Sequence, residues 1–408
     1  MNKILITFVC LCLVVGTLSA QTYSGGSGTE QDPYLISSKA DMETLGTSVK
    51  EGISYGKYFL LTNDLTGSNL LTTSVGYSAG QPFRGIFDGG GHEIEVNSTD
   101  GVFGYLSGAT IQNLGVKGTT TSGGICEFAE NSIIIYCYNL ATVTDGHSAG
   151  GICGRASSTT ISNCYNLGDI SFSSSFSSNV YTGGICGLVS SGSISNCYNT
   201  GIVYAYSSNS YSSYAYAGGI CGYNDSNSKI SNCFTANTTI TGKSAAGRIV
   251  GYNNGENITN CYALSTITVN GSTIEGAPAS SSKDGKSQSL ASFQSQSWIE
   301  EILQWDFNSV WKMSSNESTA NGLPIFKNQQ EIPNNIEILI VNKTEKIKIY
   351  TIPNGIAVET KDTASVSVFN ISGQKVYQSV INGSAEIHLN KGIYIVKANN
   401  ESQKIIIK

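Results

Sequence analysis

The chain is short of charged residues and of proline. Only 13% of its 408 residues are Asp, Glu, Lys or Arg, the formal net charge is −6, and there are 6 prolines. Because no basic cluster interrupts this weakly acidic pattern, we expect neither nucleic acid nor anionic membrane as a partner. The hydrophobic content of 40% is enough for a packed core, which argues against disorder of the whole chain.

Long apolar runs are also lacking, with one exception at the N-terminus. Lys3 precedes an apolar run from Ile4 to Val15, and small residues follow as far as Ala20. This layout is typical of a secretory signal peptide over residues 1–20, and the run is too short to span a bilayer as a helix. No later stretch approaches that length, so we expect an exported protein without a transmembrane segment.

What the sequence does contain is a repeat made of two blocks. The first block is Gly-Gly-Ile-Cys, which ends at Cys126, Cys153, Cys186 and Cys221, and a fifth, degenerate copy ends at Val250. Successive copies lie 27, 33, 35 and 29 residues apart, whereas a second block built on Cys-Tyr-Asn always follows after 11 or 12 residues. Fixed spacing within a unit and one variable loop between units are typical of a stacked solenoid.

The repeat predicts the fold class. Its units contain short β-rich runs without helical periodicity. One unit cannot bury its own apolar face, but stacked units can, with strands paired from coil to coil at about 4.8 Å. We therefore expect an all-β protein, a right-handed parallel β-helix, with paired glycines at corners that need positive φ. The Asn before each second-block Cys is expected to join an amide ladder; these residues are Asn163, Asn196, Asn232 and Asn260.

These units resemble the GLUG repeats of a family of bacterial immunoglobulin-A peptidases, which recur in surface proteins of Bacteroidota. The resemblance covers roughly Gly101 to Ser265. The peptidases' zinc motif, His-Glu-x-x-His, is absent, since His92-Glu93 is followed by Ile94-Glu95-Val96. Proteolysis is therefore not implied for this chain.

The last part of the chain is a separate module. Alternating runs such as Val366-Ser367-Val368-Phe369 predict a small C-terminal β-sandwich. The stretches Val366 to Tyr377 and Leu389 to Lys408 resemble the C-terminal sorting domain of the type IX secretion system. The resemblance implies that the type IX secretion machinery is a partner, and that the protein reaches the outer-membrane cell surface or the extracellular space. An immunoglobulin-like accessory domain is the alternative.

The expected domain organisation has six parts. They are a signal peptide at 1–20, an N-terminal cap with first coils at 21–100, GLUG-like β-helix repeats at 101–270, a C-terminal coil and helical cap at 271–328, a linker at 329–335, and the sorting-like β-sandwich at 336–408.

The cysteines of the mature chain permit two interpretations. Export and near-constant spacing permit one disulfide per coil, whereas two columns of buried, reduced thiols would behave as small apolar residues. Val250 replaces only one member of a pair, which favours unbridged columns. The predicted structural ladder consists of Cys126, Cys137, Cys153, Cys164, Cys186, Cys197, Cys221, Cys233 and Cys261.

The sequence gives little indication of catalysis. Acidic residues of the repeat region occupy different positions in their coils, and a thiol nucleophile would need the one histidine of the repeat region, His147. The sequence contains no Cys-x-x-Cys pair, the spacing that would favour a zinc site. We expect no catalytic residues, no metal and no cofactor, although a polysaccharide lyase or hydrolase on this scaffold stays an alternative.

Aromatic residues in two Ser-rich inserts are the strongest candidates for a contact surface. Rigid, amphipathic rings among Ser and Asn are typical of binding surfaces. The hypothesis is a non-catalytic adhesin or binding protein for a glycan or a host surface protein; the alternatives are tyrosines that pack as an extra strand pair, and a purely structural surface component. The candidate residues are Phe172, Phe176, Tyr181, Tyr204, Tyr206, Tyr211, Tyr214 and Tyr216.

Overall fold

The computed structural model shows the predicted parallel β-helix, followed by an antiparallel β-module. It describes residues 23–144, 148–174, 179–208, 214–255, 257–315, 320–329, 347–352, 355–370, 375–389, 392–398 and 401–407. The parallel β-helix and the antiparallel β-module together confirm the predicted all-β fold class. The predicted signal peptide at 1–20 and most of the predicted linker lie outside the described residues.

The coil is built from parallel sheets that run along its length. The nine-stranded sheet 1 contains Tyr34–Ile36, Tyr58–Leu61, Ile86–Asp88, Thr110–Gln112, Ile133–Ile135, Thr160–Ser162, Ser193–Ser195, Lys229–Ser231 and Ile258–Thr259. The four-stranded sheet 3 contains Ser148–Gly150, Val180–Gly183, Ala215–Gly218 and Ala245–Gly247. The six-stranded sheet 4 contains Phe103–Ser107, Cys126–Glu130, Cys153–Ser157, Cys186–Ser190, Cys221–Asn224 and Val250–Asn253.

Sheet 2 has fourteen strands because one strand serves two columns. Gly115–Thr120 pairs with Tyr138–Asn139 at its start and with Thr142–Val143 at its end. The first column continues through Tyr165–Asn166, Tyr198–Asn199, Phe234–Thr235, Tyr262–Leu264 and Lys286–Gln288. The second continues through Ile170–Ser174, Val203–Ser207, Thr239–Gly242, Thr268–Val269 and Ser272–Thr273, and Glu93–Thr99 pairs with Gly115–Thr120.

Equivalent side chains of successive units lie directly above one another. Cys153 is aligned with Cys126 on one side and Cys186 on the other, and Cys221 is aligned with Val250. All nine cysteines of the described chain are free and buried. Val250 therefore occupies a thiol position of the core, as an apolar column permits.

The paired glycines are needed at the corners, but not for the positive φ that we expected. None of the pairs at 123–124, 150–151, 183–184 and 218–219 has a positive φ. Each is required by space: a Cβ on Gly150 would lie 2.2 Å from the Cys153 carbonyl oxygen, and one on Gly151 would lie 2.3 Å from that of Gly184. The glycines allow close approach of backbones at the corner between sheets 3 and 4.

Asparagine ladders reinforce two corners. The predicted ladder is present in part, with Asn260 Nδ2 donating to Asn232 Oδ1 at 2.9 Å and Asn196 to Asn163 at 3.4 Å. A second, fully buried ladder was not predicted, although its residues are the Asn of the Cys-Tyr-Asn block. Asn139 donates to Asn166 and Asn166 to Asn199, both at 2.7 Å. Such chains of amides satisfy buried polar groups and hold the rungs in register.

Helical segments flank the coil. The helix Lys39–Lys50, capped by Ser38, buries Met42, Leu45 and Val49 in the same core as the coil. The turn Gly67–Asn69 and the segments Leu290–Phe293, Gln296–Trp298 and Ile299–Leu303 complete the helical content. The helical turns of the predicted C-terminal cap end at Gln304, whose φ is 58°.

The C-terminal helical segments cover the side of the coil. A column of stacked rings, with centroids 4.9–5.2 Å apart, follows sheet 2 through Tyr138, Tyr165, Tyr198 and Phe234. Phe293 stacks on Phe234 at 4.5 Å, and the column is further covered by Trp305, Trp311 and Phe326. The two last short strands are Trp311–Met313 and Pro324–Phe326.

The chain divides into two compact units. One comprises the described residues up to Lys312 with Pro324–Gln329, and the other comprises Met313–Leu323 with the described residues after Gln329. The second unit holds a five-stranded antiparallel sheet with its own core of Ile356, Val358, Val366, Val368 and Val396 among others. Its strands are Ile347–Ile352, Gly355–Asn370, Lys375–His388, Gly392–Ala398 and Glu401–Ile407.

The close approach at the glycine corner predicts a strong effect of one methyl group. Gly151→Ala should destabilise the coil by about 1–3 kcal/mol or more, because the added Cβ collides with backbone that cannot move independently. The control is Gly46→Ala, in the helix Lys39–Lys50, where nothing lies within 4 Å of the new Cβ. The control should be neutral or stabilise by up to about 1 kcal/mol. Thermal unfolding followed by circular dichroism measures both, and equal transition temperatures would contradict the steric explanation.

Candidate functional site

The predicted aromatic residues divide into several groups in the structure. Tyr181, Tyr214 and Tyr216 come together where sheets 3 and 4 meet. Tyr204 and Tyr206 lie on sheet 2 and stack on each other at 6.4 Å. Phe172 is buried in the core, so we leave it out of the contact surface. Phe176 and Tyr211 lie outside the described residues.

Stacking of the coil brings the tyrosines of sheet 3 into one column. Tyr181 pairs in register with Tyr216 on the next rung, and their ring centroids are 5.9 Å apart. Tyr214 precedes the same strand and stacks on Tyr216 at 5.5 Å. The alignment follows from the parallel register, which places equivalent residues one rung apart.

Two further tyrosines on sheet 4 complete the group. Tyr223 and Tyr252 are aligned in register, with centroids 5.6 Å apart and rings only 12° from parallel. Tyr252 also stacks on Tyr216 at 5.0 Å, and Tyr223 packs 5.3 Å from Tyr181. We call Tyr181, Tyr214, Tyr216, Tyr223 and Tyr252 the tyrosine surface. Tyr214 is 56% exposed and Tyr252 42%, whereas Tyr216 is 8% exposed and supports them from below.

Tyr223 and Tyr252 were not predicted, although the repeat contains a signal for them. Each lies two residues after the last residue of a first block, Cys221 or Val250. That position of sheet 4 faces away from the core, because the next residue along the strand, such as Ala156 or Val189, points into it. Its column holds Tyr105, Phe128, Arg155, Leu188, Tyr223 and Tyr252.

Charged groups gather around Arg155, which belongs to the same outward-facing column of sheet 4. Burial, reinforced by the negative charge of Asp100, raises the pKa of Glu127, while Arg155 opposes the shift. Arg155 also donates through Nε to Ser148 Oγ at 3.0 Å. Glu127 occupies a sheet 4 position where the other rungs have glycine, namely Gly104, Gly154, Gly187, Gly222 and Gly251. The sequence spacing of the acids did not reveal this grouping, because Asp100 precedes the repeat.

The first-block cysteines Cys153, Cys186 and Cys221 are held as neutral, unreactive thiols. All nine cysteines are buried, and burial raises the pKa of the Cys153, Cys186 and Cys221 thiols well above the usual value. A thiol held neutral in an apolar interior is a poor nucleophile and a poor metal ligand. His147, the predicted partner for such a nucleophile, lies outside the described residues.

Neither a metal centre nor a membrane helix is found in the described part of the chain. No three His, Cys, Asp or Glu side chains there gather closely enough to hold a metal ion. None of the helices described combines the length and the apolar character needed to cross a bilayer.

Comparison with known proteins identifies two parts of the chain. Residues 334–408 match the family described as the secretion system C-terminal sorting domain, and residues 145–171 match the GLUG motif. The predicted resemblances to GLUG repeats and to the type IX sorting domain are thereby confirmed. The protein is exported by type IX secretion to the cell surface or the extracellular space.

One curated relative aligns with part of the chain. It is described as a Gly-rich membrane protein of Evansella cellulosilytica, and is 27% identical over 135 residues. The match covers 29% of this chain and spans only 15% of the relative's length.

The packing of the tyrosine surface predicts its titration. Burial, with smaller effects from the neighbouring phenols, raises the pKa of Tyr216 from 10.0 to about 12. Subtracting the ultraviolet absorbance titration of Tyr216→Phe from that of the wild type should reveal a phenol that ionises near pH 12. Because the unfolded phenol ionises first, the free energy of unfolding should fall as the pH rises above 10. A difference step at pH 10 would contradict the packing.

Proposed function

We propose that this exported protein is a non-catalytic binding protein whose tyrosine surface contacts a glycan at the cell surface. The single observation that carries the proposal is the gathering of five tyrosines from successive rungs at one corner, with two of them largely exposed. A soluble protein rarely leaves large rings together in solvent unless they contact a partner.

The chemistry of the surface favours a glycan over a charged ligand. A phenol offers an apolar face and a hydroxyl that both donates and accepts hydrogen bonds. Stacked rings from neighbouring rungs therefore form a continuous apolar strip with polar edges. Only 13% of the chain is charged, which leaves this region poorly suited to an electrostatic partner. A host protein with exposed aromatic or Pro-rich segments is the alternative ligand that the test below includes.

The non-catalytic part of the proposal can be tested at Glu127. A half-buried acid of raised pKa beside Asp100 and Arg155 has the ingredients of acid–base chemistry. Glu127 itself lines neither of the two clefts found in the described residues, although Asp100 lines one of them. Cleavage of a bound glycan by the wild type that Glu127→Gln abolishes would overturn this part of the proposal.

Binding should depend on the exposed rings. Tyr214→Ala combined with Tyr252→Ala should weaken glycan binding by about tenfold or more, since each stacked ring contributes about 0.5–1.5 kcal/mol. Screening on an array that carries glycans and host surface proteins, followed by calorimetric titration of the strongest hit, measures this. The matched control is Tyr55→Ala, because Tyr55 is 74% exposed and lies in a turn far along the chain from the tyrosine surface. Equal affinity of the double variant and the wild type would exclude the tyrosine surface, and a hit on host protein but no glycan would redirect the ligand class.

Surface delivery should depend on the C-terminal module. Removal of residues 334–408, the part that matches the sorting domain, should abolish surface display in a host with type IX secretion. Full-length Tyr214→Ala serves as the control and should be displayed normally. Cleavage of the coil by external protease on intact cells measures display. A truncated protein that still reaches the surface would show that another segment carries the export information.

A further inference from the structure

A cleft on a different corner of the coil has the features of a second binding site. It has a volume of about 320 Å³ and lies where sheet 1 meets sheet 2. Its aromatic lining comes from Tyr136, Tyr138 and Phe326, and its polar lining includes Asp88 and Gln329. This volume lies at the lower end of the range of small-molecule sites in proteins.

Tyr136 breaks the repeat at this cleft. Its backbone is left-handed, with φ of 56°. The same conformation occurs at the equivalent position of five other rungs, and there the residue is always Asn, which tolerates it far better than Tyr does. Those residues are Asn113, Asn163, Asn196, Asn232 and Asn260, with φ between 49° and 54°. A strained residue retained against the repeat indicates a role for its side chain other than folding.

The carboxylate of Asp88 has one acceptor position to spare. Its Oδ1 accepts from the Gly90 backbone N–H at 2.8 Å and from Asn113 Nδ2 at 3.0 Å. Its Oδ2 accepts from Gln112 Nε2 at 2.8 Å. An ionised carboxylate accepts about four hydrogen bonds. Asp88 is therefore fixed in place and can still accept one bond from a ligand.

Gln329 supplies a poorly paired donor to the same cleft. The residue is 4% exposed, and its Oε1 accepts from the Tyr165 hydroxyl at 2.6 Å. Its Nε2 is fully buried and interacts with the Tyr138 side chain without a well-aligned hydrogen bond. A poorly paired buried donor is costly, and the amide would turn toward the cleft for a ligand oxygen to relieve that cost. Lys327 also lines the cleft; it donates one hydrogen bond to the Asn308 carbonyl and keeps its positive charge, whereas Lys117 pairs with Glu93.

We infer that this cleft binds one ring of a neutral sugar. A sugar hydroxyl both donates, as Asp88 requires, and accepts, as Gln329 requires. The C–H face of the ring would pack against Tyr136 and Phe326, whose centroids are 6.3 Å apart at nearly right angles. Because Asp88 and Lys327 give the cleft one charge of each sign, its net charge favours a neutral ligand over an acidic one. The site shares no residue with the tyrosine surface, so it does not depend on the function proposed above.

The test uses a substitution that should improve the fold. Tyr136→Asn restores the residue of the other rungs and should raise the unfolding temperature by about 1–4 °C. Saturation-transfer-difference NMR with glucose, galactose, mannose and N-acetylglucosamine, and with galacturonate as an acidic sugar, would be run on the full chain. The wild type should bind at least one neutral sugar more tightly than galacturonate, and Tyr136→Asn should bind it about 2- to 10-fold more weakly.

Two variants keep the outcome decisive. Tyr136→Phe retains the ring and should keep its affinity within about twofold if stacking is the main contact. Tyr55→Ala removes an exposed ring that lines neither the cleft nor the tyrosine surface, and it should leave sugar binding unchanged. No signal from any of the four neutral sugars, equal affinity of Tyr136→Asn and wild type, or tighter binding of galacturonate would each overturn the inference.

Discussion

Backbone hydrogen bonding between successive rungs is the interaction on which the rest of the structure depends. Along one corner, the amides of Ile125, Ile152, Ile185 and Ile220 each donate to the isoleucine carbonyl one rung further on, at 2.9–3.0 Å. Parallel pairing fixes the register, and the register in turn places each Cys over Cys and each Asn over Asn. The core, the amide ladders and the tyrosine surface are consequences of this one alignment.

The same constraint explains why variation is confined to particular positions. A corner where a Cβ would meet a carbonyl oxygen at 2.2–2.3 Å permits only glycine, so Gly150 and Gly151 cannot carry function. Outward positions and the loops after the second block are free of that limit. The tyrosine surface uses these free positions. Glu127 and Tyr136 differ, because Glu127 replaces the glycine of the other sheet 4 rungs and Tyr136 replaces the Asn of five other rungs.

Most of the fold could be predicted from the sequence, since the blocks repeat with nearly constant spacing and local spacing determines rung geometry. The physical reason for the glycine pairs could not be predicted. A positive φ and a close approach of two backbones both require glycine, so the sequence looks the same in either case. The site was predicted in part: Tyr181, Tyr214 and Tyr216 belong to the tyrosine surface, while Tyr223 and Tyr252 were missed. Their contacts join residues of different sheets, and only the cross-section of the coil shows which sheets meet.

A repeat protein offers an internal reference that a globular fold lacks, because each position is sampled several times in one chain. Where all rungs agree, as at the Asn positions of left-handed conformation, the common residue is the one that stability favours. Where one rung departs at a backbone cost, as Tyr136 does, the side chain must return a benefit that Asn does not give. The departure at Tyr136 coincides with a cleft that holds a poorly paired donor on Gln329 and an unused acceptor position on Asp88. Backbone strain and unmet hydrogen-bonding capacity have independent causes. Because both occur at this one corner, we assign the ligand there and not to the equivalent corners of the other rungs.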